Sequence, residues 1–296
     1  METNILEIRG LRKEYDAFSL KDVSLSVPRG SIMGFIGRNG AGKSTTIKSI
    51  LSMIPIDGGY ITVNGIDAVA DEIAVKRIIG YVGEDARLYG EVRCDELGRF
   101  VKKFYPTWDE ALYRDLVRRF GLDLRKRVSE LSRGTRTKLA LTLALSHRPE
   151  LLVLDEPTSG LDPVVRNEVL EILADAVRDN GCSVFFSSHI TEDIVRVADV
   201  VTYIDDGLIL LSDTKDHIRE GYSRVDFDGT IPEAMRSELG FCRGASCIVA
   251  DRARFDALCA RVGLDPSTLH AEPAALDDVL MFLVGDRTTD AADSGN

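Results

Sequence analysis

Gly37-Arg38-Asn39-Gly40-Ala41-Gly42-Lys43-Ser44 decides how this 296-residue sequence is read. The stretch has the form G-x-x-x-x-G-K-[ST], and each fixed residue has a mechanical reason. Gly37 and Gly42 permit a tight, positive-φ path that turns backbone N–H groups toward phosphate oxygens. Lys43 reaches the β and γ phosphates of a nucleoside triphosphate, and the Ser44 hydroxyl takes one Mg²⁺ position. Arg38, Asn39, Gly40, Ala41 and Thr45 complete the nucleotide-binding stretch. The flanks supply the required context. Ser31 to Ile36 is an apolar run that reads as a buried strand. Beyond the loop, Ile47, Ile50, Leu51 and Ile54 form the apolar stripe of a helix that stops at Pro55. Strand, glycine loop and helix make the first βα unit of an α/β domain.

A second strand ending in acid is the other half of such a site. Leu151-Leu152-Val153-Leu154-Asp155-Glu156 supplies it. Asp155 is placed to hold Mg²⁺ through its water shell, and Glu156 to act as general base on the attacking water. Ile5 to Ile8 and Leu20 to Val27 alternate as half-buried antiparallel strands do. A charged, mainly helical stretch spans about residues 87–146, with Leu112, Leu116, Val117 and Phe120 on one helix face. Asp162-Pro163 caps a helix bearing Val165, Val169, Ile172, Leu173 and Ala176. Ser183 to Phe186 is a further strand, and Asp205-Asp206-Gly207 signals a hairpin. The boundaries expected are 1–220 for the main domain, 221–285 for a small α+β module and 286–296 for a frayed polar tail.

Composition narrows the partners. With 37 basic against 48 acidic residues the net charge is −11, which argues against a sequence-independent grip on nucleic acid. Cys94, Cys182, Cys242, Cys247 and Cys259 form no C-x-x-C pair, so ordinary thiols in a reducing compartment are expected rather than a metal or redox switch. No apolar run approaches the ~20 residues of a membrane-spanning helix, and the start Met1-Glu2-Thr3-Asn4 is unlike a secretory signal. A cytoplasmic protein is expected, held at a membrane only through a partner.

Taken together the motifs resemble the ATPase domain of ABC proteins over about residues 3–215. Leu131-Ser132-Arg133-Gly134-Thr135 is similar to the L-S-G-G-Q signature that, in that family, faces the γ-phosphate bound by the other protomer. Ser159-Gly160-Leu161-Asp162 resembles the D-loop, and Asp162 is also an ordinary helix cap. His189 matches the histidine that contacts the γ-phosphate and orients the water. Tyr15 resembles the aromatic that stacks on adenine, with Phe18 close by as a rival. The resemblance implies an α/β P-loop NTPase fold with an antiparallel β subdomain and a helical subdomain. It also implies ATP and Mg²⁺, and a homodimer or heterodimer of ATPases on a multi-spanning permease.

Three departures stand out. Glu84 occupies the place of a glutamine after Ile79-Gly80-Tyr81-Val82-Gly83, still within reach of a metal. Arg133 and Thr135 replace a glycine and the glutamine of the signature, and Gly160 replaces an alanine. Phe104-Tyr105-Pro106-Thr107-Trp108-Asp109 and the appended module resemble bacterial exporter-type (ABC-2-like) subunits. A soluble ABC ATPase outside transport, or a nucleotide sensor that does not hydrolyse, are the alternatives. The transported substrate is not legible, because in such systems it binds the membrane subunit.

Overall fold

The computed structural model describes residues 3–85, 88–236, 238–239 and 241–293, from 285 onward by backbone alone. It divides into two units, Met1–Ser212 and Asp213–Asn296. The division precedes the expected one at residue 220 and assigns the short helix Lys215–Gly221 to the second unit.

The first unit runs β1 (Asn4–Tyr15), β2 (Phe18–Pro28), β3 (Ile32–Ile36), α1 (Lys43–Ile50), β4 (Gly58–Val63), β5 (Ile66–Asp67), α2 (Glu72–Ile78) and β6 (Ile79–Val82). It continues with α3 (Cys94–Lys102), α4 (Glu110–Arg119), α5 (Arg133–Ser146), β7 (Leu151–Asp155), α6 (Pro163–Asn180), β8 (Ser183–Ser188), α7 (Thr191–Val197), β9 (Val200–Asp205) and β10 (Leu208–Thr214). Six strands form one sheet in the order β10-β9-β3-β8-β7-β6. Within it β6, β7, β8, β3 and β9 are parallel neighbours. Every residue of β3, β7 and β8 is buried, as expected for parallel strands covered on both faces. Parallel direction brings the C-terminal ends of β3, β6, β7 and β8 to one edge, where open α/β sheets carry their ligands.

A second sheet, β2-β1-β4-β5, is antiparallel. Ile47 and Ile50 of α1 are fully buried in a cluster that joins Ile8, Val23 and Ile61 of this sheet to Phe35, Val153 and Phe185 of the other. The apolar stripe therefore faces two sheets. The helix is shorter than its stripe, ending at Ile50 rather than at Pro55. Ser52 takes a positive φ of 51°, and Met53 N–H and Ser52 N–H bond the carbonyls of Lys48 and Ser49. That arrangement satisfies the last carbonyls and turns the chain away before Ile54.

The helical stretch forms its own core from Cys94, Leu97, Tyr113, Val128, Leu131, Leu139 and Leu143. Leu116 and Phe120 of the expected face are buried as well. Arg87, the expected start of this stretch, lies outside the described residues.

The second unit opens with α8 (Lys215–Gly221). It continues with β11 (Ser223–Asp226), α9 (Glu233–Arg236), β12 (Cys242–Arg243), β13 (Ser246–Val249), α10 (Arg252–Val262), β14 (His270–Pro273) and α11 (Leu276–Asp293). From β11 to β14 the order is βαββαβ, and the strands lie β12-β13-β11-β14 with every neighbour antiparallel. This is the ferredoxin-like arrangement, a specific form of the expected α+β module. Its core includes Val225, Met235, Val249 and Phe255. Cys247 and Cys259 share that core with Cys242 against it, and burial pushes the Cys247 thiol up to about 12. The structure so brings together thiols that the sequence keeps apart, yet no group of three metal-ligating side chains occurs among the described residues. The final helix continues through 286–293, where a frayed tail was expected; 294–296 lie outside the described residues.

Candidate active site

The loop after β3 leads into α1, and two of its glycines are irreplaceable on steric grounds. Gly42 has φ 118°, and a Cβ there would lie 2.6 Å from Leu20 Cδ2. Gly37 does not take the positive φ expected of it, which falls at Gly40 instead; Gly37 is needed for space, since a Cβ there would lie 2.5 Å from the Ile204 carbonyl oxygen. The loop is pinned from below, since Gly207 N–H donates to the Ala41 carbonyl at 3.0 Å while Lys21 N–H donates to the Gly207 carbonyl at 2.8 Å. Thus the Asp205-Asp206-Gly207 turn, legible in sequence only as a hairpin, also props the phosphate loop. No side chain caps the first turn of α1, which leaves its N–H donors and positive dipole end to an anion.

Lys43 lies buried at the mouth of that helix. Its ammonium donates to the Gly37 carbonyl at 2.7 Å and pairs with Glu156 Oε1 at 3.2 Å. The other carboxylate oxygen of Glu156 lies 2.6 Å from His189 Nδ1. Glu156 itself has a positive φ of 51°, an uncommon conformation for this residue. The turn aims its side chain back across the edge of the sheet, between lysine and histidine. Asp155 ends β7 beside it, and Ser187 of β8 is its partner in the parallel register. The Ser187 hydroxyl donates to Asp155 Oδ1 at 2.8 Å and accepts from Glu156 N–H at 3.0 Å. Sequence reading gave Ser187 no role; the signal available was the hydroxyl pair Ser187-Ser188 between an apolar run and His189.

A cleft of about 660 Å³ gathers Arg38, Asn39, Gly40, Gly42, Lys43, Ser44 and Thr45 with Glu84, Glu156, Ser159 and His189. Its size suits a drug-sized or cofactor-sized ligand. Of the adenine candidates, Phe18 lines this cleft, whereas Tyr15 stands at the end of β1, half exposed, with the Lys13 ammonium 5.5 Å from its ring centre. Phe18 comes close to Gly42 after the β1–β2 turn, and Tyr15, paired with Phe18 in the strand register, stands exposed at the turn's start. Of the residues expected to hold a divalent metal, Ser44 and Glu84 line the cleft, while Asp155 ends β7 and is not part of that lining. All three carry hard oxygen ligands of the kind Mg²⁺ takes alongside phosphate oxygens and water.

The signature residues lie elsewhere, at the start of α5. Ser132 caps that helix by accepting from Thr135 N–H at 3.2 Å, and its hydroxyl lies 2.9 Å from Thr135 Oγ1. Gly134 packs against Val165. Asp162 caps α6 through Val164 and Val165 N–H at 3.0 and 3.1 Å. Arg133 reaches over Gly160, where a Cβ would sit 2.8 Å from its Nη1. Two departures noted in the sequence are therefore neighbours in space: an alanine at 160 would crowd the arginine at 133. None of Ser132, Arg133, Gly134 and Thr135 lines the cleft of its own chain.

The profile of the ABC transporter family (ABC_tran) matches residues 20–159. The chain is 32% identical to the ABC transporter ATP-binding protein YtrB of Bacillus subtilis (strain 168), over 79% of this chain and 81% of that one. It is also 32% identical to the daunorubicin/doxorubicin resistance ATP-binding protein DrrA of Streptomyces peucetius, over 98% and 96% of the two chains. A solved ATP-binding subunit of an ABC transporter superposes with a TM-score of 0.67 at 31% identity, covering 73% of this chain and 92% of that one. Likeness at this level, one relative matching almost end to end, shows that the chain belongs to the ATP-binding subunits of the ABC transporter family.

Proposed function

We propose that this subunit powers an exporter by hydrolysing ATP at a site shared between two ATPase protomers. The observation that carries the reading is the separation of two half-sites on one chain. Lys43, Glu156 and His189 meet over the phosphate loop, while Ser132 and Gly134 stand at another helix N-terminus, away from that cleft. A second protomer supplies the missing half, its Ser132 hydroxyl and α5 N-terminus closing on the γ-phosphate. Phe18 packs on the adenine, and the phosphate-loop N–H groups and Lys43 hold the phosphates. Ser44 and Asp155 would hold Mg²⁺, with Glu84 near, and the metal supplies neutralisation of phosphate charge when bound. Glu156 takes a proton from the attacking water, and His189 holds Glu156 in place through Nδ1.

Coupling needs a surface for the permease. Leu51, Met53, Tyr81, Val101, Tyr105 and His147 line a groove of about 350 Å³ in the first unit. Met53, Tyr89, Phe100 and Phe104 are exposed large apolar side chains, and Phe100 and Phe104 pack edge to face. We read this part as the docking face for a cytoplasmic segment of the membrane subunit, with the ATPase held on the inner face of the membrane. Among the described residues no helix is long and apolar enough to cross a membrane. The exporter reading draws on relatives named for resistance to daunorubicin and doxorubicin and for bacitracin transport.

The test is Glu156→Gln. This variant is expected to bind ATP, to lose turnover and to accumulate as an ATP-bound dimer in size-exclusion chromatography. A variant that binds ATP and stays monomeric at every concentration would remove the shared-site reading.

A further inference from the structure

We infer that Ser187 is a positioning residue that locks Asp155 and Glu156 into one unit; this rests on the roles proposed above for the two acids. Hydrogen-bond logic leaves one arrangement for its hydroxyl. Glu156 N–H can only donate, so Ser187 Oγ accepts there at 3.0 Å. Its single proton is then committed to Asp155 Oδ1 at 2.8 Å. Ser187 is fully buried, so water does not stand in for either bond.

Each bond has a consequence at the reacting centre. The bond to Asp155 satisfies one carboxylate oxygen and restrains rotation of the group, leaving the second oxygen uncommitted by Ser187. The bond to Glu156 N–H adds to the one that the same N–H makes with the Ser187 carbonyl at 3.2 Å. Two acceptors on one residue thus hold the amide of the turn in which Glu156 has φ 51°. That conformation is disfavoured for a glutamate and persists only where its surroundings impose it. Two residues on, His189 meets the Glu156 carboxylate through both its N–H, at 3.3 Å, and Nδ1, at 2.6 Å. The end of β8 thereby grips Glu156 twice, by its backbone at Ser187 and by its side chain at His189.

Thr and Val at position 187 have the same shape and differ in the hydroxyl, so comparing them separates hydrogen bonding from packing. In Ser187→Val the buried Asp155 oxygen loses its donor, and kcat falls about tenfold relative to Ser187→Thr. The Mg²⁺ concentration for half-maximal activity rises about threefold, because the Asp155 carboxylate is free to turn. KM for ATP stays within about twofold, since Lys43 and the phosphate loop are untouched. Ser187→Ala, which adds no methyl group, follows Ser187→Val in kcat and in Mg²⁺ dependence, measured below the melting temperature of both variants. Equal kcat and equal Mg²⁺ dependence in the Thr and Val variants overturn the inference. Glu156→Gln is assayed beside them. If it turns over normally, both the base assignment and the role of Ser187 fall; if it is inactive while Thr and Val are equal, only the role of Ser187 falls.

Discussion

Replacing Glu156 by glutamine should act on stability and on chemistry with different signs in the absence and presence of nucleotide. The carboxylate is nearly buried and lies 3.2 Å from the Lys43 ammonium, itself 6% exposed. At an effective dielectric constant of about 20, two unit charges at this separation attract by about 5 kcal/mol. Desolvation offsets most of that, and Lys43 keeps its 2.7 Å bond to the Gly37 carbonyl in the variant. A net loss of about 2 kcal/mol follows for the nucleotide-free protein, about 4–8 °C in melting temperature for a unit of this size. ATP brings phosphate charge to Lys43, so the variant should regain stability when ATP and Mg²⁺ are added and should shift further than wild type does. Turnover falls about 10²- to 10⁴-fold, the range of general base catalysis. The assays are thermal unfolding with and without Mg·ATP, and steady-state phosphate release. An unchanged melting temperature without nucleotide would show that the Lys43–Glu156 pair contributes nothing. Retained turnover would show that Glu156 is not the base.

Other perturbations separate the remaining parts. Ser132→Ala removes the cap of α5 at a cost of about 1 kcal/mol, read by denaturant unfolding, and should abolish the ATP-bound dimer when combined with Glu156→Gln. Gly160→Ala introduces a side chain at φ 68° and 2.8 Å from Arg133 Nη1. It should destabilise by about 1–2 kcal/mol, with Arg133→Gly recovering only the steric part in a double-mutant cycle. Burial lowers the His147 pKa from 6.5 to about 4, so the folded protein holds this imidazole neutral where the unfolded chain protonates it. Stability is then fully present above pH 6.5 and declines as pH falls from 6.5 toward 4, by about 3 kcal/mol in total. His147→Gln should flatten that part of the pH–stability curve. Cys182 and Cys247 are pushed up to about 12 by burial, so thiol reagents at pH 8 should label them only after unfolding.

Much of the fold was legible in local pattern. Apolar runs at Ser31 to Ile36, Leu151 to Leu154 and Ser183 to Phe186 declared strands, and glycine spacing declared the loop between strand and helix. Element ends were less legible. The α1 stripe continues to Ile54 in sequence, but a positive φ at Ser52 ends the helix sooner. The tail after Asp286 lacks an apolar pattern, and its helix continues from a turn that begins at Leu276. The second unit offered no motif, and its ferredoxin-like order emerges only from which strands pair.

By itself the sequence determined the chemistry carried on the chain: a phosphate loop, a strand ending in two acids, a histidine after a strand and a signature turn. Each is a local string whose residue types have few other uses in that order. Tertiary structure decided which of them meet. Parallel pairing put the ends of β3, β7 and β8 on one edge, so Lys43, Glu156 and His189 came within bonding distance. It set Ser187 opposite Asp155, placed Phe18 rather than Tyr15 in the cleft, and left Ser132 outside it. Strand register and the side chain's facing direction depend on long-range pairing, and no local string encodes them.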